Sequence, residues 1–159
     1  MFDPTTAVGL HTIASLIALG AGLILVRGML ASNPMPFMAG VFFLTMLYTD
    51  VSGFLLPAPG FLPSHATGIL SLVALAIAIP ARYQFGYAGS WRWLYVVSTV
   101  LAVWLNTFVA VVQAFGKIPA LNRLAPTQAE PPFAIAQLAV LLLFILLGYL
   151  AVRRYRPAR

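Results

Sequence analysis

The sequence predicts an all-α protein, a polytopic bundle of five transmembrane helices, and three observations carry that prediction. Of 159 residues, 62% are hydrophobic and only 8% are charged, where an ordinary soluble domain carries about 25% charged residues; the mean hydropathy is +0.97. Nine basic and three acidic side chains cannot coat a 17.1 kDa globule, so most of the surface has to face lipid. Five stretches of about 20 residues, the length of a bilayer crossing, have interiors free of Lys, Arg and Glu. A soluble globule is therefore excluded. The absence of cysteine also excludes disulfides, thiolate catalysis, iron–sulfur clusters and cysteine-based zinc sites.

The first span is placed at Thr6 to Val26. A signal peptide would need positive charge ahead of its apolar stretch, yet the chain opens Met-Phe-Asp3-Pro4 and Arg27 follows the stretch, so the segment is expected to be retained. The apolar tract from Gly28 to Ala81 is too long for one helix. Pro57-Ala-Pro-Gly-Phe-Leu-Pro63 breaks it, because proline cannot continue helical hydrogen bonding. That gives a second span at Met35 to Leu56 and a third at His65 to Arg82. Only about 16 residues separate His65 from Pro80, so the alternative is four spans plus one re-entrant or interfacial helix. The fourth and fifth spans are placed at Trp93 to Phe115 and Phe133 to Val152. The loop between them, Gly116 to Pro132, carries Pro119, Pro126, Pro131 and Pro132. Loops of about 15 residues or more are commonly functional or disordered, and the prolines favour an ordered cap over a plain connector. No internal repeat interrupts the chain, and residues 1–159 read as a single integral membrane domain.

The net charge of +6 reads as topology rather than as a nucleic-acid site, because basic residues beside membrane spans are held on the cytoplasmic side. With five spans, Lys117 and Arg123 share one face. Arg27, Arg82, Arg92, Arg153, Arg154, Arg156 and Arg159 share the other. This asymmetry predicts a multi-pass protein of the bacterial inner (plasma) membrane with its N-terminus outside and its C-terminus in the cytoplasm. Tyr83, Phe85, Tyr87, Trp91, Trp93 and Tyr95 cluster near one interface, as amphipathic rings prefer.

In lipid the polar residues carry the information, since an ionisable side chain at mid-helix costs about 2.5–3.5 kcal/mol on the mildest scale. Asp50 is the one acidic residue inside a span. Counting from Leu56 puts it about 9 Å below the outer boundary, and counting from Thr6 puts His11 about 7 Å down. His65 lies at the mouth of the third span, Gln113 and Gln137 lie near the outer ends of the fourth and fifth, and Asn106 is deeper. On the first span His11, Ala14, Ser15, Ala18 and Gly22 form a small and polar stripe at helical spacing, with Leu10, Ile13, Ile17 and Ile24 opposite. Thr99, Ala102, Asn106, Ala110 and Gln113 form another on the fourth. Both stripes are expected to face the bundle, so His11, Asp50, His65, Asn106, Gln113 and Gln137 are the candidate ligand or proton site, in a pocket beneath the Gly116 to Pro132 loop. The simpler role for Asn106, Gln113 and Gln137 is interhelical hydrogen bonding. For His65 it is an innocent place at a helix start, with Ser64 as N-cap. Asp50 has to be protonated, paired with His11, or hydrated.

Two histidines near a carboxylate suit a proton relay, or a metal or haem site in which the carboxylate fixes an imidazole tautomer. No nucleophilic triad, P-loop or GxGxxG motif is present, and no catalytic residue is assigned. The stretch Gly9-Leu-His11 with its small-residue stripe, the run Phe42-Phe-Leu-Thr-Met-Leu-Tyr-Thr-Asp50 and the entry Phe61-Leu-Pro-Ser-His65 resemble a family of small bacterial predicted inner-membrane proteins of unknown function, over roughly the first four spans. In that family histidines recur at helix starts. Here the loop after Arg27, Gly-Met-Leu-Ala-Ser-Asn-Pro-Met-Pro, lacks the histidine–arginine cluster that the family would place there.

The leading functional expectation is a non-enzymatic accessory or small-ligand-binding subunit whose polar pocket lies in the outer half of the bundle. Its expected partners are the lipid bilayer and other membrane subunits or a second copy of itself, with no nucleic acid. One alternative is a membrane redox protein holding haem b or copper through His11 and His65. Another is a small proton-coupled transporter using Asp50.

Overall fold

In the computed structural model, residues 4–57, 60 and 63–157 are described. Asp3, Arg159 and part of the Pro57 to Pro63 turn, on which the topology and family readings partly drew, lie outside the described residues.

Helix α1 (Ala7–Leu30) starts at Thr6, whose extended backbone and Oγ1 cap the helix by accepting the Gly9 N–H at 3.1 Å. Four of the six helices begin on proline, which loses nothing at a first turn whose N–H has no helical partner. They are α2 (Pro36–Leu55), α3 (Pro63–Tyr83), α5 (Pro119–Leu124) and α6 (Pro131–Arg154); α4 (Trp91–Lys117) completes the set. All but α5 are long and apolar enough to cross a membrane, so the protein is a multi-pass transmembrane helical bundle. Helix α3 is a full crossing rather than a re-entrant segment, because Pro80 falls in its last turn, where the missing N–H interrupts only the helix end. Ser64 is a residue of that helix rather than its N-cap: its carbonyl accepts Thr67 Oγ1 from within the first turn.

Helices α1 to α4 pack in a ring, each against the next and α4 against α1, while α6 lies outside and leans on α4 and α1. Only Phe144 and Ala151 of α6 are buried. The core draws on Ala18 to Met29 of α1, Ala39 to Met46 of α2, Ala74 to Ala81 of α3 and Tyr95 to Val103 of α4. All of these stretches lie toward one end of the bundle. That end is tied together by arginines. Arg82 Nη1, at the end of α3, donates to Pro34 O (2.9 Å) and Tyr95 Oη (3.1 Å), and also to Tyr87 Oη. Arg92, at the start of α4, donates to Val152 O (2.8 Å) and Tyr155 O (2.9 Å), and the Arg156 backbone N–H donates to Ser32 Oγ (2.7 Å). These bonds place the α1–α2 loop, the α3–α4 loop and the end of α6 on one side, as five alternating spans require.

The stripe on α1 faces inward as expected: Ala14, Ala18 and Gly22 are buried, while Leu10, Ile17 and Ile24 are exposed. Within the core the helices approach closely at Gly22, where a Cβ would stand 2.7 Å from Val103 Cγ2 and 3.0 Å from the Phe42 ring. Val103 is β-branched on a helix and has little rotamer freedom with which to yield. We therefore expect Gly22→Ala to destabilise the bundle by about 1–3 kcal/mol through overpacking. Gly20→Ala, whose Cβ would meet nothing within 4 Å, should leave stability unchanged or raise it; unfolding midpoints in detergent check both.

Candidate functional site

At the end opposite the arginines the four-helix ring opens into a cavity of about 530 Å³. Buried residues thin out there because the small and bulky residues that close the core stop near Ala18, Met46, Ala74 and Val103. His11 of α1, Asp50 of α2, His65 of α3, and Asn106 and Gln113 of α4 all line the cavity. Helix α6 supplies none of the lining; Gln137 instead donates its amide N–H to Phe108 O at 3.2 Å, fastening α6 to α4.

Asp50 is 7% exposed. Its Oδ2 accepts Ser71 Oγ of α3 at 2.6 Å, and among the described residues this is its one hydrogen-bond partner, with no cation beside it. The expected pairing of Asp50 with His11 is not formed. His11 Nδ1 shares a 2.9 Å hydrogen bond with Ser52 Oγ instead, which joins α1 to α2 about half a turn of α2 away from the Asp50 side. The reason is angular: Asp50 and Ser52 are two positions apart, so they point about 200° apart around the helix axis. Asp50 faces α3 and Ser52 faces α1. His65 lies against Phe54 of α2, the rings stacked with centroids 5.4 Å apart and planes inclined by 19°. Asn106 donates to Ser15 O of α1 across the bundle at 2.9 Å. For Asn106 and Gln137 the interhelical hydrogen bond anticipated from the sequence is the observed role.

The Gly116 to Pro132 loop is ordered, as its prolines suggest, but it does not roof the cavity. Asn122 donates to Phe115 O (3.1 Å) and Gln128 to Val112 O (3.0 Å), which folds the loop back onto the end of α4. Glu130 accepts Thr127 Oγ1 (2.8 Å) and the backbone N–H groups of Thr127 and Ala129. Of this loop only Lys117 and Ile118 reach the cavity rim.

Two lining residues were not anticipated, Ser71 and Lys117, and neither was the bond to His11 made by Ser52, which lies outside the cavity lining. Interior serines are commonly satisfied by a carbonyl of their own helix, which conceals those that reach across to a neighbour. The signal available for Ser71 was the stripe Thr67, Gly68, Ser71 on α3, built on the same spacing as the stripes on α1 and α4. Among the described residues no group of three or more histidine or carboxylate side chains is placed to hold a metal ion. His11 and His65 are thus imidazoles on one cavity without a third protein ligand.

No family model, no curated protein and no solved structure matches this chain.

Asn106 provides a direct test of how much the site contributes to the bundle. Asn106→Leu keeps the volume and removes the bond to Ser15 O, so it should cost about 1 kcal/mol, the usual worth of an interhelical hydrogen bond in a membrane. Gln113 is exposed, and Gln113→Leu should change stability by less than about 0.5 kcal/mol. Reversible unfolding in mixed micelles distinguishes the two.

Proposed function

We propose that this protein is a non-enzymatic ligand-binding or accessory subunit of a bacterial inner membrane, whose four-helix cavity holds a small molecule. The observation that carries this reading is the cavity itself, in which a buried carboxylate and two imidazoles converge from three helices onto mainly apolar walls. A few fixed polar groups on an apolar surface are the usual make-up of a small-ligand site. The resemblance carried by Gly9-Leu-His11, the run ending at Asp50 and the entry to His65 supports placing the chain among small bacterial inner-membrane proteins. Its binding activity then comes from the site and not from the family. The mostly apolar lipid-facing side of α6 leaves room for another subunit or a second copy.

The test is recovery of a bound molecule. Protein isolated gently from its native membrane should carry a small organic compound detectable by mass spectrometry. Gly53→Leu, which projects side chain into the cavity from a position where a Cβ touches only His11 at 3.4 Å, should lose that compound while still folding. Equal recovery from both proteins would refute the reading. A second reading, haem b or copper held by His11 and His65, is favoured by the two imidazoles lining the same cavity from α1 and α3. Bound haem would supply one-electron chemistry there, and His11 and His65 would be the residues that hold it. A Soret band in the same preparation, abolished by His11→Ala, would support it.

For orientation, the arginines gathered at one end support an N-terminus outside and a C-terminus in the cytoplasm. A reporter fused after the last residue should be active only in its cytoplasmic form; periplasmic activity would reverse the assignment and put the cavity on the cytoplasmic side.

A further inference from the structure

We propose that the cavity binds an organic ammonium: a protonated amine whose cationic head sits at the floor against Asp50 and whose apolar body lies along the helix walls. This rests on the reading of the cavity as a ligand site and names the class of its ligand.

The argument comes from where each hydrogen goes. A hydroxyl has one proton to give and two lone pairs. Thr12 Oγ1 gives its proton to Val8 O, Ser15 Oγ to Thr12 O, Thr49 Oγ1 to Thr45 O and Thr67 Oγ1 to Ser64 O, each at 2.8 Å. Ser71 Oγ gives its proton to Asp50. All five of these hydroxyls line the cavity, and each is left presenting lone pairs. Asp50 adds a carboxylate with one hydrogen bond and no cation. The donors on the lining are distributed differently. His65 is in the first turn of α3, His11 in the second turn of α1, and Gln113 and Lys117 in the last two turns of α4. Ser15, Thr49, Asp50 and Ser71 stand about 8–12 Å in from the helix ends, at about 1.5 Å per residue. Of the donors near that depth, Asn106 has already committed an N–H to Ser15 O, and His11, only about 2 Å shallower than Asp50 along its helix, is turned to Ser52 of α2.

The floor is thus built of acceptors around an uncompensated carboxylate. An anion there would face lone pairs and a like charge, and a ketone or ester oxygen would find only the remaining Asn106 hydrogen. An ammonium supplies the donors the floor lacks, and it neutralises a charge that is costly to hold in hydrocarbon unpaired. The size and the walls decide between an organic cation and a bare ion. Leu16, Leu19, Met46 and Leu105 line the same space as Asp50, and about 530 Å³ suits an alkyl or aryl body rather than a single ion. Lys117 is at the rim on an exposed stem, where its charge acts on His11 but is not among the groups that act on Asp50.

The experiment is calorimetric titration of the full chain in nanodiscs with three probes of one shape: phenethylamine, phenethyl alcohol and phenylacetate, with sodium chloride alone as a fourth arm. We expect phenethylamine to bind at least about tenfold more tightly than either of the other two, the margin of one charge-assisted hydrogen bond. Asp50→Asn should remove that margin. Ser71→Ala, which keeps the carboxylate, should retain most of it and guards against a folding defect in the first variant. If all three organic probes bind alike and Gly53→Leu abolishes them, the cavity is a ligand site but the ammonium assignment fails. If none binds, both the assignment and the ligand-site reading fail. Preferential binding of phenylacetate, or sodium chloride competing away phenethylamine at equal strength, overturns the organic cation in favour of an anion or an inorganic ion.

Discussion

The constraint on which the structure depends is that hydrocarbon solvent gives helices no hydrophobic reason to meet, so they hold together only where their surfaces fit closely. In this chain that fit is concentrated at Ala18, Ala21 and Gly22 of α1, against Phe42 of α2 and Val103 of α4. The absence of a side chain at Gly22 lets three helices approach where no Cβ would fit. Toward the arginines, large side chains such as Leu25, Met29, Phe43 and Tyr95 fill the remaining space. Toward the other end that filling stops, and the ring is held by polar bonds between neighbours, Ser52 with His11 and Ser71 with Asp50. The result is a bundle sealed over one half of its thickness and open over the other.

The arginine end solves a different problem. With only three acidic residues in the chain, its cations have few carboxylates to pair with, and they bind instead to groups that every protein has in excess. Arg82 is held by a loop carbonyl and two tyrosine hydroxyls, with its guanidinium carbon 5.5–5.8 Å from the centres of three tyrosine rings. Arg92 is held by carbonyls at the end of α6, which have no helical partner of their own. The planar guanidinium suits both roles, since it spreads its donors in a fork and stacks on aromatic faces. The same residues that orient a chain in a membrane thereby lock α3 to the α1–α2 loop and α4 to α6.

The polar end shows how a hydrogen-bond inventory can be more informative than a list of polar residues. Threonine and serine that return their proton to their own helix contribute nothing to bundle cohesion, yet they turn a wall into an acceptor surface. Asp50 belongs to that surface because its partner on α3 is a serine rather than a basic residue. The ordered loop after α4 is tied to its own helix by Asn122 and Gln128, and so the cavity keeps its mouth.

Composition and charge placement were sufficient by themselves to determine an all-helical membrane protein with five crossings. In lipid every backbone polar group must be satisfied within its own segment, and that requirement makes helix number legible from apolar length alone. Proline at positions 36, 63, 119 and 131 opens a helix for an equally local reason, although those at 63, 119 and 131 read in the sequence as residues of turns and loops. The inward face of α1 was also legible, because small residues recur at helical spacing. What only the tertiary structure decided was the pairing of polar groups across helices. Depth along each helix put His11 and Asp50 at a similar level, but a hydrogen bond depends on rotation about the axis as well, and two residues of sequence separate the face of α2 that meets α1 from the face that meets α3. Gln137 shared the depth of the cavity and missed it for another non-local reason: α6 packs outside the ring, and no local property of its sequence records which neighbours leave it there.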